Sequence, residues 1–326
     1  MAQNATILGG IAGLSLTADE AAFFRDADPW GFILFGRNVD SPDQLRRLTG
    51  QLREAVGRDA IITVDQEGGR VQRLRAPHWS DWPAPLDQAV AGPRAMWLRY
   101  HLIGQELRAV GIDSNCAPTL DVAQPDTHRF LRDRCLGSDP ARIAELGRAA
   151  AEGLLAAGVL PVIKHMPGHG RAQADSHHDL PVVDAAEAEL EALDFAPFRM
   201  LADLPIGMTA HIRFTALDER PATASERMIA VIRKHIGFDG LLMTDDITMN
   251  ALSGSEADRA AASVTAGCDL VLHCNGSVAQ MEAVVAAAGQ MTPDALRRAE
   301  AALAMRHAPS PADIAALMAE WRMLSA

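Results

Sequence analysis

From Lys164 to Asp184 the chain reads Lys-His-Met-Pro-Gly-His-Gly-Arg-Ala-Gln-Ala-Asp-Ser-His-His-Asp-Leu-Pro-Val-Val-Asp, and these residue types at this spacing fit acid–base chemistry. Asp175 and His177 are two positions apart. A carboxylate beside an imidazole raises the histidine's pKa and fixes its tautomer, which is what a general acid needs near neutral pH. A histidine of unperturbed pKa about 6.5 is mostly neutral at pH 7, so Asp175 matters for keeping His177 protonated. Pro167, Gly168 and Gly170 interrupt any regular element, so His169 to His178 is expected to be a loop, on which the pair could swing in once substrate is bound. Four further positions follow short apolar runs: Asp65, Lys164-His165, His211 and Asp245. Polar residues at the ends of successive apolar runs are the signature of an α/β-barrel active rim, although any one of them could simply cap a strand or begin a helix. Asp245 is followed by Asp246, and spacing alone leaves open which of the two caps the next turn.

The same histidines bear on metal binding. His165, His169, His177 and His178 with Asp175 could serve as ligands, yet no His-Glu-x-x-His or Cys/His quartet occurs, and no metal or other cofactor is expected. His169 is read as packing or hydrogen-bonding inside its loop.

Lys164–Gly170 followed by Asp175-Ser176-His177 resembles the family 3 glycoside hydrolases, specifically the short bacterial β-N-acetylglucosaminidases (β-hexosaminidases) of peptidoglycan recycling. Those enzymes carry Lys-His-Phe-Pro-Gly-His-Gly and an Asp-Ser-His loop; Met166 stands here for the phenylalanine. The longer β-glucosidases of the family lack the Asp-Ser-His acid. Asp65-Gln66-Glu67-Gly68-Gly69-Arg70-Val71-Gln72-Arg73 resembles a second block of the family. Asp133-Arg134-Cys135-Leu136-Gly137 takes the place of its Asp/Asn-Arg-Ser-Phe block, with Cys135 and Leu136 departing from it and Phe130-Leu131-Arg132 replacing the usual Ile-Gly. Ile112–Val122, read as scaffold, and Cys268–Asn275 match further blocks, so the resemblance runs from about Leu8 to Asn275.

The resemblance implies a retaining β-N-acetylhexosaminidase in which Asp245 rather than Asp246 is the nucleophile and His177, aided by Asp175, is the acid/base. It implies Asp65, Arg73, Arg134, Lys164 and His165 as sugar ligands, with Arg70 supporting the loop. Most retaining glycosidases use a second carboxylic acid instead of histidine; Asp179 and Glu67 are the nearest alternatives. The implied substrate is a small GlcNAc-1,6-anhydro-muropeptide in the cytoplasm. Two rivals stand beside this: a phosphorylase on the same site, and a non-catalytic sugar-binding protein.

These residues need a scaffold that delivers them to one place. Periodicity alone gives six to eight strands, and with the resemblance as a guide eight short runs read as strands: Thr6–Gly10, Gly31–Phe35, Ala60–Val64, Ile112–Ala117, Val159–Ile163, Ile206–Ala210, Leu241–Thr244 and Leu270–Leu272. Helices alternate with them. Thr17 with Glu20 forms a capping box for a helix through Ala27, and Ser41-Pro42-Asp43-Gln44 opens another to about Val56. Further helices are expected over Arg94–Val110, Pro140–Ala157, Ala185–Leu201, Ser225–His235 and Asp258–Ala266, with two more closing the chain. This alternation fits a single (β/α)8 TIM-type barrel domain over residues 1–326 better than a doubly wound sheet; Gly9-Gly10-x-x-Gly13 has the wrong glycine order for a dinucleotide turn.

The 326 residues are 48% hydrophobic, enough for a large core. A net charge of −12, from 42 acidic and 30 basic residues, argues against a nucleic-acid surface, which needs clustered basic groups. No apolar run approaches the roughly 18 residues that span a bilayer, so no membrane partner is expected. The N-terminus shows no secretory signal. The four cysteines lack Cys-x-x-Cys spacing, and Cys116, Cys268 and Cys274 fit reduced core thiols. A cytoplasmic monomer is the expectation.

Overall fold

The computed structural model describes residues 3–176, 178–309 and 311–326. Eight strands form the barrel: β1 (Asn4–Leu8), β2 (Pro29–Leu34), β3 (Ile61–Val64), β4 (Ser114–Asn115), β5 (Leu160–Met166), β6 (Ile206–Thr209), β7 (Leu241–Asp246) and β8 (Leu270–His273). Each pairs in parallel with its sequence neighbours, and β8 closes on β1. A parallel pair needs a crossover, and the intervening helices supply it and cover the outside. The expected (β/α)8 architecture is the one observed.

Side chains alternate across each strand, and the core divides accordingly. Leu160 and Val162 of β5, Ile206 and Met208 of β6, and Leu241 and Met243 of β7 pack in one cluster. Ile163 and Leu242 join the other, with Leu102, Leu146 and Leu154 from the surrounding helices. All four cysteines are buried and free, and burial pushes the Cys116 thiol up to about 12.

Local signals acted as read at Thr17. Its hydroxyl accepts from Glu20 N–H at 3.2 Å while Glu20 Oε2 accepts from Thr17 N–H at 2.8 Å, closing the capping box. At Ser41 the helix opens where expected, with Pro42 first and Val56 last, but without a side-chain cap: Gln44 is buried with its amide donating to the carbonyls of Leu14 and Asn38. The expected helix Ala185–Leu201 is two pieces, Glu187–Ala192 and Ala196–Met200, because Pro197 cannot continue a helix and begins a new one. Ser225–His235 is an α-helical turn that widens into a π-helix over Val231–Ile236. Three helices, Val278–Ala288, Pro293–Ala304 and Ile314–Leu324, follow β8 among the described residues, where two were expected. No helix among the described residues is long and apolar enough to cross a membrane.

Candidate active site

The C-terminal ends of the strands surround a cavity of about 300 Å³, at the lower end of small-ligand sites. Ile33 of β2 and Met208 of β6 are apolar lining, and the polar lining includes Asp65, Arg73, Arg134, Lys164, His165 and Asp245. Six of the eight site residues expected from sequence are therefore brought together. Asp175 lines an adjoining cavity that shares Arg70 and Phe130 with the first. His177 lies outside the described residues.

Part of the cavity wall is a chain of shared ionic contacts. Arg73 Nη2 donates to Asp65 Oδ2 at 3.2 Å, and Lys164 Nζ donates to Asp65 Oδ1 at 3.0 Å. The same ammonium lies 2.6 Å from Glu67 Oε1. Arg134 grips Glu67 with a two-pronged fork, Nη2 to Oε1 at 2.8 Å and Nε to Oε2 at 3.0 Å. Arg134 Nη2 also reaches His165 Nε2 at 3.3 Å, and His165 Nδ1 lies 2.7 Å from Asp121 Oδ2. A carboxylate only accepts, so His165 carries its proton on Nδ1 and turns a lone pair toward Arg134.

Burial alone would raise these carboxyl pKa values. For Asp65 the charges of Lys164 and Arg73 overturn that effect and hold it well below the usual range. For Glu67, burial is overcome by Arg134 and Lys164, and its pKa falls to about 2. Burial would lower the Lys164 pKa, but Asp65 and Glu67 keep it above the ordinary lysine value. Glu67 is thus a permanent anion near neutral pH and no proton donor, which removes one carboxylic-acid alternative to a histidine acid.

Glu67 also anchors the site mechanically. It sits on a small antiparallel pair, Gln66–Gly68 with Val71–Gln72, just beyond β3. Gly68 has φ +102°, and a Cβ there would lie 2.0 Å from Arg99 Nη2, which donates to the carbonyls of Glu67 and Pro83. Breaking a buried ion pair from one side costs roughly 3–5 kcal/mol, and Glu67→Gln is expected to lose about that much stability at pH 7. The stabilisation is complete above about 4.5, the ordinary value for Glu67, and disappears as pH falls through about 2. Urea denaturation at pH 7 and pH 3 should show the gap between wild type and variant narrowing in acid; a pH-independent gap would refute the ionic origin.

The two adjacent aspartates have distinct environments. Asp246 accepts from Thr248 N–H at 3.0 Å, Thr248 Oγ1 at 2.6 Å and Cys274 N–H at 3.1 Å, so it caps the turn after β7. Asp245 Oδ1 accepts from Asp246 N–H at 2.8 Å. Burial would raise the Asp245 pKa, but His165, His211, the Asp246 N–H and Lys164 bring it below the ordinary value. Burial lowers the pKa of His211 itself, so the charge contribution of that ring fades near pH 7, while the Asp246 N–H and the Lys164 ammonium persist. His211 is fully buried between Thr223 Oγ1 at 2.8 Å and the Asp246 carbonyl at 2.9 Å, which ties the end of β7 to Thr223.

Sequence reasoning missed Asp121. It lies in the block read as scaffold, yet its carboxylate receives His165 Nδ1–H, His165 N–H at 3.3 Å and His169 N–H at 2.7 Å. A lone aspartate after a strand gave no hint of partners more than forty positions away. The loop of Asp175 is tied to the segment following Asp245 by Ala251 N–H, which donates to Ser176 O at 3.3 Å. No cluster of three or more metal-ligating side chains exists among the described residues.

The chain can be set beside known proteins on this geometry. The model of the glycosyl hydrolase family 3 N-terminal domain matches residues 13–303. A beta-hexosaminidase of Alkalilimnicola ehrlichii is 39% identical over 285 residues, covering 82% of this chain and 80% of that protein. One of Bordetella avium is 37% identical over 281 residues, with the same coverage. Among solved structures, NagZ from Neisseria gonorrhoeae, in complex with N-trifluoroacetyl-D-glucosamine, superposes with TM-score 0.85 at 30% identity, covering 100% of this chain and 96% of that one. A family 3 beta-N-acetylglucosaminidase from Paenibacillus gives TM-score 0.83 at 31% identity, and this chain spans 62% of its length. The chain belongs to glycosyl hydrolase family 3 and is a glycoside hydrolase related to the members named beta-hexosaminidase.

Proposed function

We propose that the protein is a retaining β-N-acetylhexosaminidase that removes terminal β-linked GlcNAc from small peptidoglycan fragments, GlcNAc-1,6-anhydro-muropeptides, in the cytoplasm. One catalytic domain acts as a monomer in this reading. The observation that carries it is an ionised Asp245 at the mouth of β7, sharing one cavity with a wall of fixed donors.

In the first step a carboxylate oxygen of Asp245 bonds to the anomeric carbon as the bond from that carbon to the leaving oxygen breaks. His177, with Asp175 beside it, gives its proton to that oxygen. In the second step His177 takes a proton from water. The hydroxide so formed bonds to the anomeric carbon, and the Asp245 carboxylate departs. Two inversions give net retention.

The donor wall suits sugar hydroxyls. Asp65 accepts while Arg73 and Lys164 donate, and the Arg134–His165 contact offers a donor beside a lone pair. A hydroxyl placed there would accept from the guanidinium and donate to Nε2. Such contacts speed the reaction to the extent that they tighten in the oxocarbenium-like transition state.

The test is 4-nitrophenol release from the β-GlcNAc and β-glucose aryl glycosides, with and without phosphate. Phosphate-independent cleavage confined to the GlcNAc compound is the expected result. Phosphate-dependent cleavage would make the protein a phosphorylase, and binding without cleavage of either compound would leave a sugar-binding protein.

A further inference from the structure

Asp175 stands apart from the other described site residues. It lines not the cavity of Asp245 but the wider one beside it, of about 730 Å³, and the two share Arg70 and Phe130. The direction of the reaction gives that second space a use. An acid that protonates the leaving oxygen lies within hydrogen-bond reach of it, so the group carried by that oxygen sits on the acid's side of the breaking bond. Asp245 and the donor wall line the first cavity, and the carboxylate paired with the acid in the proposed reaction lines the second. The scissile bond then falls near their common border, at Phe130 and Arg70.

The second cavity carries the chemistry of a sugar site. Phe130 is half-buried and offers an aromatic ring, which can cover the apolar C–H face of a pyranose and leave its hydroxyls free. Around it Arg70 and Arg129 bring donors, and Asp133 and Asp179 bring acceptors, a mixture suited to hydroxyl groups rather than to one strong charge. Arg129 is exposed, and its guanidinium has no partner among the described residues. The backbone beneath these side chains is tied down. Arg129 and Phe130 open a short helical turn, Arg129–Arg132, in which Phe130 N–H donates to His128 Nδ1 at 3.3 Å. His128 N–H donates to Ala172 O at 3.0 Å, and Thr127 Oγ1 donates to Gly170 O at 2.5 Å, which fastens the turn to the loop leading to Asp175. The Phe130 ring packs 5.1 Å from that of His128 and 5.8 Å from that of His169. Phe130 also belongs to the stretch in which this chain departs from the usual family block.

We infer that Phe130 and Arg129 are specificity-determining residues for the leaving group: they hold a second pyranose ring in the cavity beside Asp175, its C–H face against the phenyl ring and one hydroxyl accepting from the guanidinium. The inference rests on the glycosidase reading above and adds to it the groups that recognise the ring beyond the scissile bond.

Two substrates isolate that ring: N,N′-diacetylchitobiose, whose leaving group is a pyranose, and methyl β-GlcNAc, whose leaving group has no ring. The readout is the ratio of their kcat/KM values, with the inhibition constant of free GlcNAc and Tm measured beside it. Phe130→Leu keeps apolar bulk and removes the aromatic face; it should lower the ratio roughly fivefold or more, the worth of about 40 Å² of apolar contact. Arg129→Ala should lower it roughly three- to tenfold, the range of one hydrogen bond. Because the Arg129 side chain has no partner to lose, this second variant tests the cavity without disturbing the turn. A ratio that moves less than twofold in both variants would overturn the inference. So would a loss in Phe130→Leu shared equally by both substrates and by GlcNAc inhibition, which would place the ring's action in the first cavity alone. Wild-type protein that cleaves the aryl GlcNAc glycoside but not chitobiose would also overturn it and leave the glycosidase reading standing, whereas cleavage of neither would count against that reading itself.

Discussion

Asp245→Asn should reduce turnover by on the order of 10⁴-fold or more, a loss of about 5 kcal/mol in transition-state stabilisation, while the protein remains folded. The amide keeps an oxygen to accept the Asp246 N–H, so the turn after β7 is undisturbed. What disappears is the anion that forms the glycosyl ester. A sharper version uses Asp245→Ala, which opens space for a small anion. Azide should then restore activity and yield the α-glycosyl azide, because a single displacement on a β-glycoside inverts the anomeric centre. Retention of more than a tenth of wild-type activity in Asp245→Asn would remove Asp245 from the nucleophile's role.

Asp175→Asn should cost roughly 10²- to 10⁴-fold, the span of general acid–base catalysis. The loss should depend on the leaving group. 4-Nitrophenolate departs with little help from a proton, whereas a sugar alkoxide does not, so turnover of a disaccharide should suffer far more than that of the aryl glycoside. Removing the carboxylate also lowers the pKa of an adjacent imidazolium, so the alkaline limb of kcat should move to lower pH. The fold should survive, since Asp175 holds its turn through its backbone: the N–H groups of His178 and Asp179 both donate to its carbonyl. An unmoved pH–rate profile would refute the Asp175–His177 pairing.

Much of the scaffold was legible because apolar runs end abruptly at chemistry-bearing residues. β3 stops before Asp65, β5 carries Lys164 and His165 near its end, and β7 carries Asp245. The fourth strand was overestimated. Ile112–Ala117 is read as a full strand, but only Ser114–Asn115 pairs as one within the polar Asp113-Ser114-Asn115 centre, and Asn115 spends its amide on the backbone of Gln66. The broken helix at Pro197 was readable in principle, since proline inside a helical pattern marks a boundary. The roles of Asp121 and Glu67 were not readable. Each depends on partners contributed by strands far apart in sequence. His169, read as packing or hydrogen-bonding within its loop, does pack against Phe130 and His165 and is bonded through its backbone, but its ring makes no hydrogen bond among the described residues.

The ionic chain from Arg73 through Asp65, Lys164, Glu67, Arg134 and His165 to Asp121 has a consequence for how this enzyme can change. Each interior member is shared by two neighbours, so replacing one alters the charge and orientation seen by the rest, and single-residue effects there will not add. Adapting such a wall to a different sugar by successive single substitutions passes through intermediates with an uncompensated buried charge. New sugar preference is more accessible at the apolar edge, around Phe130 and Met249, which line the cavity outside the ionic chain.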